Sequence, residues 1–284
     1  MSKRVCGKQA CTFTPSVKCS DGREAGVGKI YHRAAEAETE ARANTLVARI
    51  DRSHAFTVRS LGTCVTRDGR TQLLMDHAGA TLEAVVEAIR GSASSQRGRE
   101  RAAAKTYAGL VTLFRNLGAL CDAGYAHHDI SPQNVMTTDG VRYVMIDLGN
   151  LVKLEDVFTP RNRFLSATYP FNPPEYKLFA GSSDVARNYD ADWLDVTGLD
   201  EAVQHGPSVW TPAATKAAAK TTDVFAFGVL MQWVAKTLRD AAPTASEKFA
   251  RAGRIMAAMD FRARPSFRFR FCFRGRSTTP ASRT

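Results

Sequence analysis

The spacing of apolar positions changes period near residue 76. Before it, short runs rich in Thr, Val, Phe and Ile are separated by turn residues, the pattern of strands. Residues 1–32 divide into three such runs: the second, 10–18, leads into the turn cluster Ser20-Asp21-Gly22-Arg23, and the third, 27–31, sets Lys29 between apolar neighbours. Residues 33–51 are Ala- and Glu-rich with few breakers and predict a helix. With Ala43, Val47 and Ile50 as its buried stripe, a 3.6-residue period puts Glu40 and Glu36 on that face and Glu38 well away from it. Glu40 is the preferred inward carboxylate. Strands are expected again at 55–61, 63–66 and 71–75, the last two joined by the turn Arg67-Asp68-Gly69. Beyond 76–80 the pattern is helical over 81–90 and 99–123, with a Gly/Ser segment between them, and strand-rich sequence does not return before Tyr143. A strand-rich part followed by a helix-rich part predicts an α+β chain of two lobes.

Composition narrows this only a little. A chain of 284 residues with 44% hydrophobic content can bury a sizeable core. No run approaches the 18 or so apolar residues of a membrane span, and the first ten residues lack the apolar stretch of a secretory signal, so a soluble intracellular protein is expected. The six cysteines show no CxxC pair and are expected to be free thiols in a reducing compartment, cytoplasm or nucleus. The net charge of +11 favours acidic partners, nucleic acid among them. Much of that excess lies in 261–284, which holds seven arginines and no acid. There Phe recurs at every second position from Phe267 to Phe273, which fits a strand with one apolar face, an Arg/aromatic surface for nucleic acid, or a terminus with no function of its own.

The chemistry concentrates in 125–154. His127-His128-Asp129 is followed by Asn134, and thirteen residues further on by Asp147-Leu148-Gly149 at the end of the apolar run Val144-Met145-Ile146. Two carboxylates and an amide on one loop and its neighbouring strand end suit Mg²⁺, which takes one or two carboxylates alongside substrate phosphates. Phosphoryl transfer from a nucleotide is the reaction this set suggests.

Several motifs together resemble the eukaryotic-type protein kinase family. HHDISPQN is similar to the family's His-Arg-Asp-x-x-x-x-Asn loop, Asp147-Leu148-Gly149 to its metal motif Asp-Phe-Gly, and Pro173-Pro174-Glu175 to its Ala-Pro-Glu, with Thr168 ahead of it. Thr222 to Gly228 resembles the start of the central helix whose Asp, here Asp223, braces the catalytic loop, and Arg264 the late Arg that pairs with Glu175. The matches span 7–266 in order. HxDxxxxN alone also resembles aminoglycoside-type and choline-type kinases, where the Pro-Pro-Glu and DVFAFG motifs are not expected. ACTFTPSVKC, VGKIYH and ARIDRSHAF are further similar to divergent kinases of large DNA viruses.

The resemblance implies an ATP- and Mg²⁺-dependent Ser/Thr kinase acting on protein substrates. Asp129 takes the catalytic-base position, Asn134 and Asp147 hold the metal, and Lys29 binds the phosphates with Glu40 facing it. Gly7 is what remains of the glycine loop, Met75 stands beside the adenine, and Asp76 to Ala78 form the hinge. It implies a small lobe at 1–76, a large lobe at 77–266 with an insertion at 176–221 anchored by Trp193 and Trp210, and a basic tail at 267–284. Two substitutions fall in the loop itself. His128 replaces an Arg that receives an activation-loop phosphate, leaving such control weak or tied to His protonation near neutral pH, and Ser131 replaces a Lys that touches the γ-phosphate. With the eroded glycine loop, these keep open an alternative: a pseudokinase or nucleotide-dependent binding module.

Overall fold

The computed structural model describes residues 3–7, 10–162, 170–182, 184–189, 191–204, 210–259 and 261–267. It is an α+β chain with an antiparallel sheet at the amino-terminal end and helices after it. Five strands, β1 (Lys3–Cys6), β2 (Ala10–Thr14), β3 (Val27–Tyr31), β4 (Ser60–Val65) and β5 (Thr71–Met75), pair in the order β1-β2-β3-β5-β4. The two strands expected over 55–66 are one, β4, with its register interrupted between Ser60 and Gly62. Pleating sends successive residues of β5 to opposite faces. Leu73 and Met75 pack with Tyr31 and Ala37, while Leu74 packs with Cys19 and Cys64.

The helix α1 (Ala34–Ile50) lies between β3 and β4 in sequence and buries Ala37, Glu40, Ala43, Asn44 and Val47; of the predicted stripe Ala43, Val47 and Glu40 are buried, while Ile50 and Glu36 are only partly so. Its end is tied down by Asp51, which accepts from the backbone N–H groups of Ala55, Phe56 and Thr57 at 2.7–2.9 Å and from the Thr57 hydroxyl at 3.0 Å.

The helical part contains α2 (Leu82–Arg90) and α3 (Gln96–Asp122), each opened by a hydroxyl cap. Thr81 accepts from the Ala84 amide, and Ser95 from that of Gly98. Short strands flank these helices: β6 (Ala80–Thr81), just before α2, joins β8 (Val135–Thr137) and β9 (Tyr143–Met145) in one sheet, and β7 (Tyr125–Ala126) pairs with β10 (Val152–Lys153). Then come α4 (Pro174–Phe179), α5 (Leu199–Gln204), α6 (Pro212–Leu238) and α7 (Pro243–Met256). The core runs through α6, whose residues 222–232 are all buried, as expected of a helix apolar on every side. It crosses α7 at Gly228 and Gly253. A Cβ at Gly228 would stand 2.4 Å from the Ala257 nitrogen, so the crossing needs glycine there.

Two expectations change, the extent of the insertion and the state of the cysteines. Residues 211–220, expected inside an insertion, are the first turns of α6, begun by the Thr211 cap and Pro212. Trp193 packs on the main core, and Trp210 packs against Phe158 and Phe261. The cysteines are not all free: Cys6 is bonded to Cys11 and Cys19 to Cys64, and among the described residues only Cys121 is a thiol. Strand register sets Cys6 opposite Cys11, a proximity that no count of cysteines reveals. Thr168, Cys272 and the tail from 268 lie outside the described residues. Phe267 is described and stacks on Phe114 at 4.9 Å.

Candidate active site

The site is built where the sheet meets the helical part. Lys29, mid-strand in β3, directs its ammonium to Glu40 Oε2 at 2.8 Å and to Asp147 Oδ1 at 2.9 Å, and so bridges α1 and the turn after β9. Burial alone would depress the Lys29 pKa, but Glu40 and then Asp147 outweigh it and hold it above the ordinary value. Burial works to raise the Asp147 carboxyl. The charge and hydrogen bond of Lys29 prevail and set it below the usual carboxylate range. Glu38 keeps 67% of its side chain in solvent, whereas Glu40 keeps 2%. Asp147 itself has φ 61°, the left-handed region that non-glycine residues adopt at a cost and that clusters at functional sites. Beside it, a Cβ on Gly149 would lie 3.3 Å from Asp147 Oδ1 and 3.6 Å from Glu40 Oε2, so the glycine backbone fits close against both acids.

The loop after β7 carries the second half. Asn134 donates through Nδ2 to the Asp129 carbonyl at 2.9 Å and to Asp129 Oδ2 at 3.0 Å. This leaves the Asn134 amide oxygen as its remaining donor to a cation. The Asn134 carbonyl accepts from the Ile146 amide at 2.9 Å, one residue before Asp147, and His127 Nε2 lies 3.1 Å from the Ile146 carbonyl. The Asp129 amide reaches His127 Nδ1 at 3.3 Å, which assigns the ring proton to Nε2. Beneath the loop, Asp223 of α6 accepts the amides of His127 at 2.6 Å and His128 at 2.9 Å, as the motif comparison implied. Arg264 and Glu175 form a buried two-pronged pair, with Arg264 also donating to the Ala258 and Met259 carbonyls.

His128 departs from expectation. It is 2% exposed, neither ring nitrogen has a partner, and its ring meets Tyr176 edge-on at 4.4 Å. Burial first, and then the neighbouring His127 and Lys177, push its pKa down to about 4, so it does not switch near neutral pH. Ser131 is buried as well.

Met75 closes β5, paired with Val27 and Ser60. The Asp76 amide donates to the Arg59 carbonyl at 3.0 Å and its carboxylate takes the Arg59 guanidinium at 2.7 Å, so the side of Asp76 open to a ligand is its carbonyl. Ala78 is buried and followed by Gly79 at φ 84°, where a Cβ would strike the Thr137 carbonyl at 2.1 Å. Gly7 is not demanded by its surroundings: the nearest atom to a Cβ there is 3.8 Å away. A cavity of about 290 Å³ has Asp76, His77 and Ala78 in its lining. A larger one of about 1110 Å³ opens between α3 and α6, away from Lys29 and Asp147.

Tyr31 and Asp51 were not singled out from the sequence. Tyr31 was legible: period two puts it on the same face of β3 as Lys29. No family model and no curated protein matches this chain.

Proposed function

We propose that the chain is an ATP-dependent protein kinase of two-lobed architecture that transfers the γ-phosphate to Ser or Thr hydroxyls of protein substrates. The observation that carries this reading is Lys29 bridging Glu40 and Asp147 at 2.8 and 2.9 Å, beside a loop where Asn134 is fixed to Asp129. A facing carboxylate fixes the position of an ammonium that is to clamp phosphates. The residues present fit Mg²⁺. Among the described residues no three His, Cys, Asp or Glu side chains converge on a metal site, and the set is instead the half-exposed Asp147 carboxylate and the Asn134 amide oxygen. That small oxygen set is what Mg²⁺ uses when phosphates supply the rest, where it neutralises their developing charge. Asp129 accepts or orients the substrate hydroxyl proton. Lys29 turns from Asp147 toward the α- and β-phosphates, and the carbonyl of Asp76 with the backbone of Ala78 takes the base.

Ser131 supports a second reading. Its buried hydroxyl leaves no cation at the position beside the transferred phosphate, which fits a nucleotide-binding module without transfer. Incubation of the purified chain with labelled ATP, Mg²⁺ and a generic basic protein separates the two. Transfer that falls by roughly a hundredfold or more in Lys29→Met and Asp147→Ala supports the kinase. A nucleotide-induced thermal shift without transfer supports the binding module, and neither response removes both.

A further inference from the structure

We infer that Tyr31 is a positioning residue: its hydroxyl is a second anchor for Glu40 and keeps that carboxylate, and with it α1, in place when Lys29 turns to a ligand. The inference rests on the kinase reading. Tyr31 is buried and donates to Glu40 Oε2, the same oxygen that Lys29 approaches at 2.8 Å. Burial and the adjacent Glu40 charge keep the phenol protonated, so it remains a donor. The Lys29 ammonium also sits 5.1 Å from the centre of the Tyr31 ring.

Glu40 Oε1 has no hydrogen-bond partner, so the donors on Oε2 are what compensates this buried acid. With Lys29 alone as partner, a move of its ammonium toward phosphates would strip the carboxylate of compensation and favour an outward swing of α1. Tyr31 removes that conflict. The other charged groups facing this pair are Asp147, after β9, which acts on both, and Glu36, one turn back on α1, which acts on Tyr31, and neither is a donor. The far end of α1 is held separately, by the amides on Asp51. The helix is therefore tied near its middle to the strand that carries Lys29, and at its end to the start of the chain's passage into β4.

The test uses the full chain and Tyr31→Phe, which removes one oxygen and keeps the ring. The nucleotide KM is expected to rise about tenfold, the worth of a hydrogen bond to a charged group, with the protein-substrate KM unchanged. In a Glu40→Ala background, which removes the acceptor, the same change is expected to add little, because the two residues act as one unit. An unchanged nucleotide KM, an equal rise in both KM values, or full additivity with Glu40→Ala overturns the inference. Should the wild-type chain transfer nothing, the kinase reading falls on its own. Hydrogen exchange at the α1 amides then decides the anchor: faster exchange around Glu40 in Tyr31→Phe supports it, and unchanged exchange overturns it.

Discussion

His128 occupies the left-handed region at φ 64°, with its amide on Asp223 and its ring sealed against Tyr176. A neutral imidazole in such a place makes folding depend on pH. The unfolded chain takes up a proton below about 6.5, whereas the folded chain takes it up only near 4, so more protons are bound unfolded throughout that window. The stability from this residue is complete above pH 6.5 and is lost as pH falls toward 4, by roughly 3 kcal/mol. His128→Asn removes the titrating group and keeps a residue tolerant of positive φ. The expected result, read from urea unfolding at pH 7 and pH 4.5, is a smaller fall in stability on acidification than the wild type shows, whatever the variant loses at neutral pH. Sequence identified the position but not its state, because a His can be a charged receiver or a buried spacer, and only packing distinguishes them.

At the scale of elements, the strongest constraint joins α4 to the segment after α7. Arg264, its guanidinium 4.8 Å from the centre of the Phe225 ring, satisfies Glu175 and two carbonyls where no water reaches. Replacing one partner leaves a buried charge, so Arg264→Met is expected to cost about 3–5 kcal/mol in urea unfolding. The double change Glu175→Leu with Arg264→Met is expected to recover a good part of that, since the pair's own desolvation is then avoided. A double variant as unstable as the single one would show that the carbonyl contacts of Arg264 matter more than its charge. This pair was legible only through what the motif resemblance implies, since nothing local in two stretches 89 residues apart says that they meet. The start of α6 was not. The motif match placed the central helix at Thr222, while Thr211 and Pro212, a cap and a first-turn proline, are the residues that begin it. The cysteine pairs were hidden for another reason: Cys19 and Cys64 are 45 residues apart in sequence, and Cys19 lies beside β4 through an isolated bridge to Thr66.

For the whole molecule, the sheet and the helical part are joined beside the site as well as through the chain between β5 and β6. The Met145 amide donates to the Phe56 carbonyl at 2.7 Å, Val58 returns the bond to the Met145 carbonyl at 3.3 Å, and Asn116 of α3 donates to the Ala55 carbonyl at 3.1 Å. These bonds place the turn carrying Asp147 against the base of α1, so Lys29 and Asp147 are held by the same joint. A ligand that engages Lys29 and Asp147 together then binds the folded arrangement and not the unfolded chain, and stabilises it by mass action. At a hundredfold excess over Kd the gain is about 2.7 kcal/mol, roughly 5–10 °C in Tm for a chain of this size. The shift is expected with ATP and Mg²⁺ together, to be smaller with ATP alone, and to fall to that ATP-alone level in Asp147→Ala with both present. An equal shift with and without Mg²⁺ would remove the metal from the proposal while keeping the nucleotide. An undiminished shift in Asp147→Ala would place the nucleotide somewhere other than the cluster of Lys29, Glu40 and Asp147.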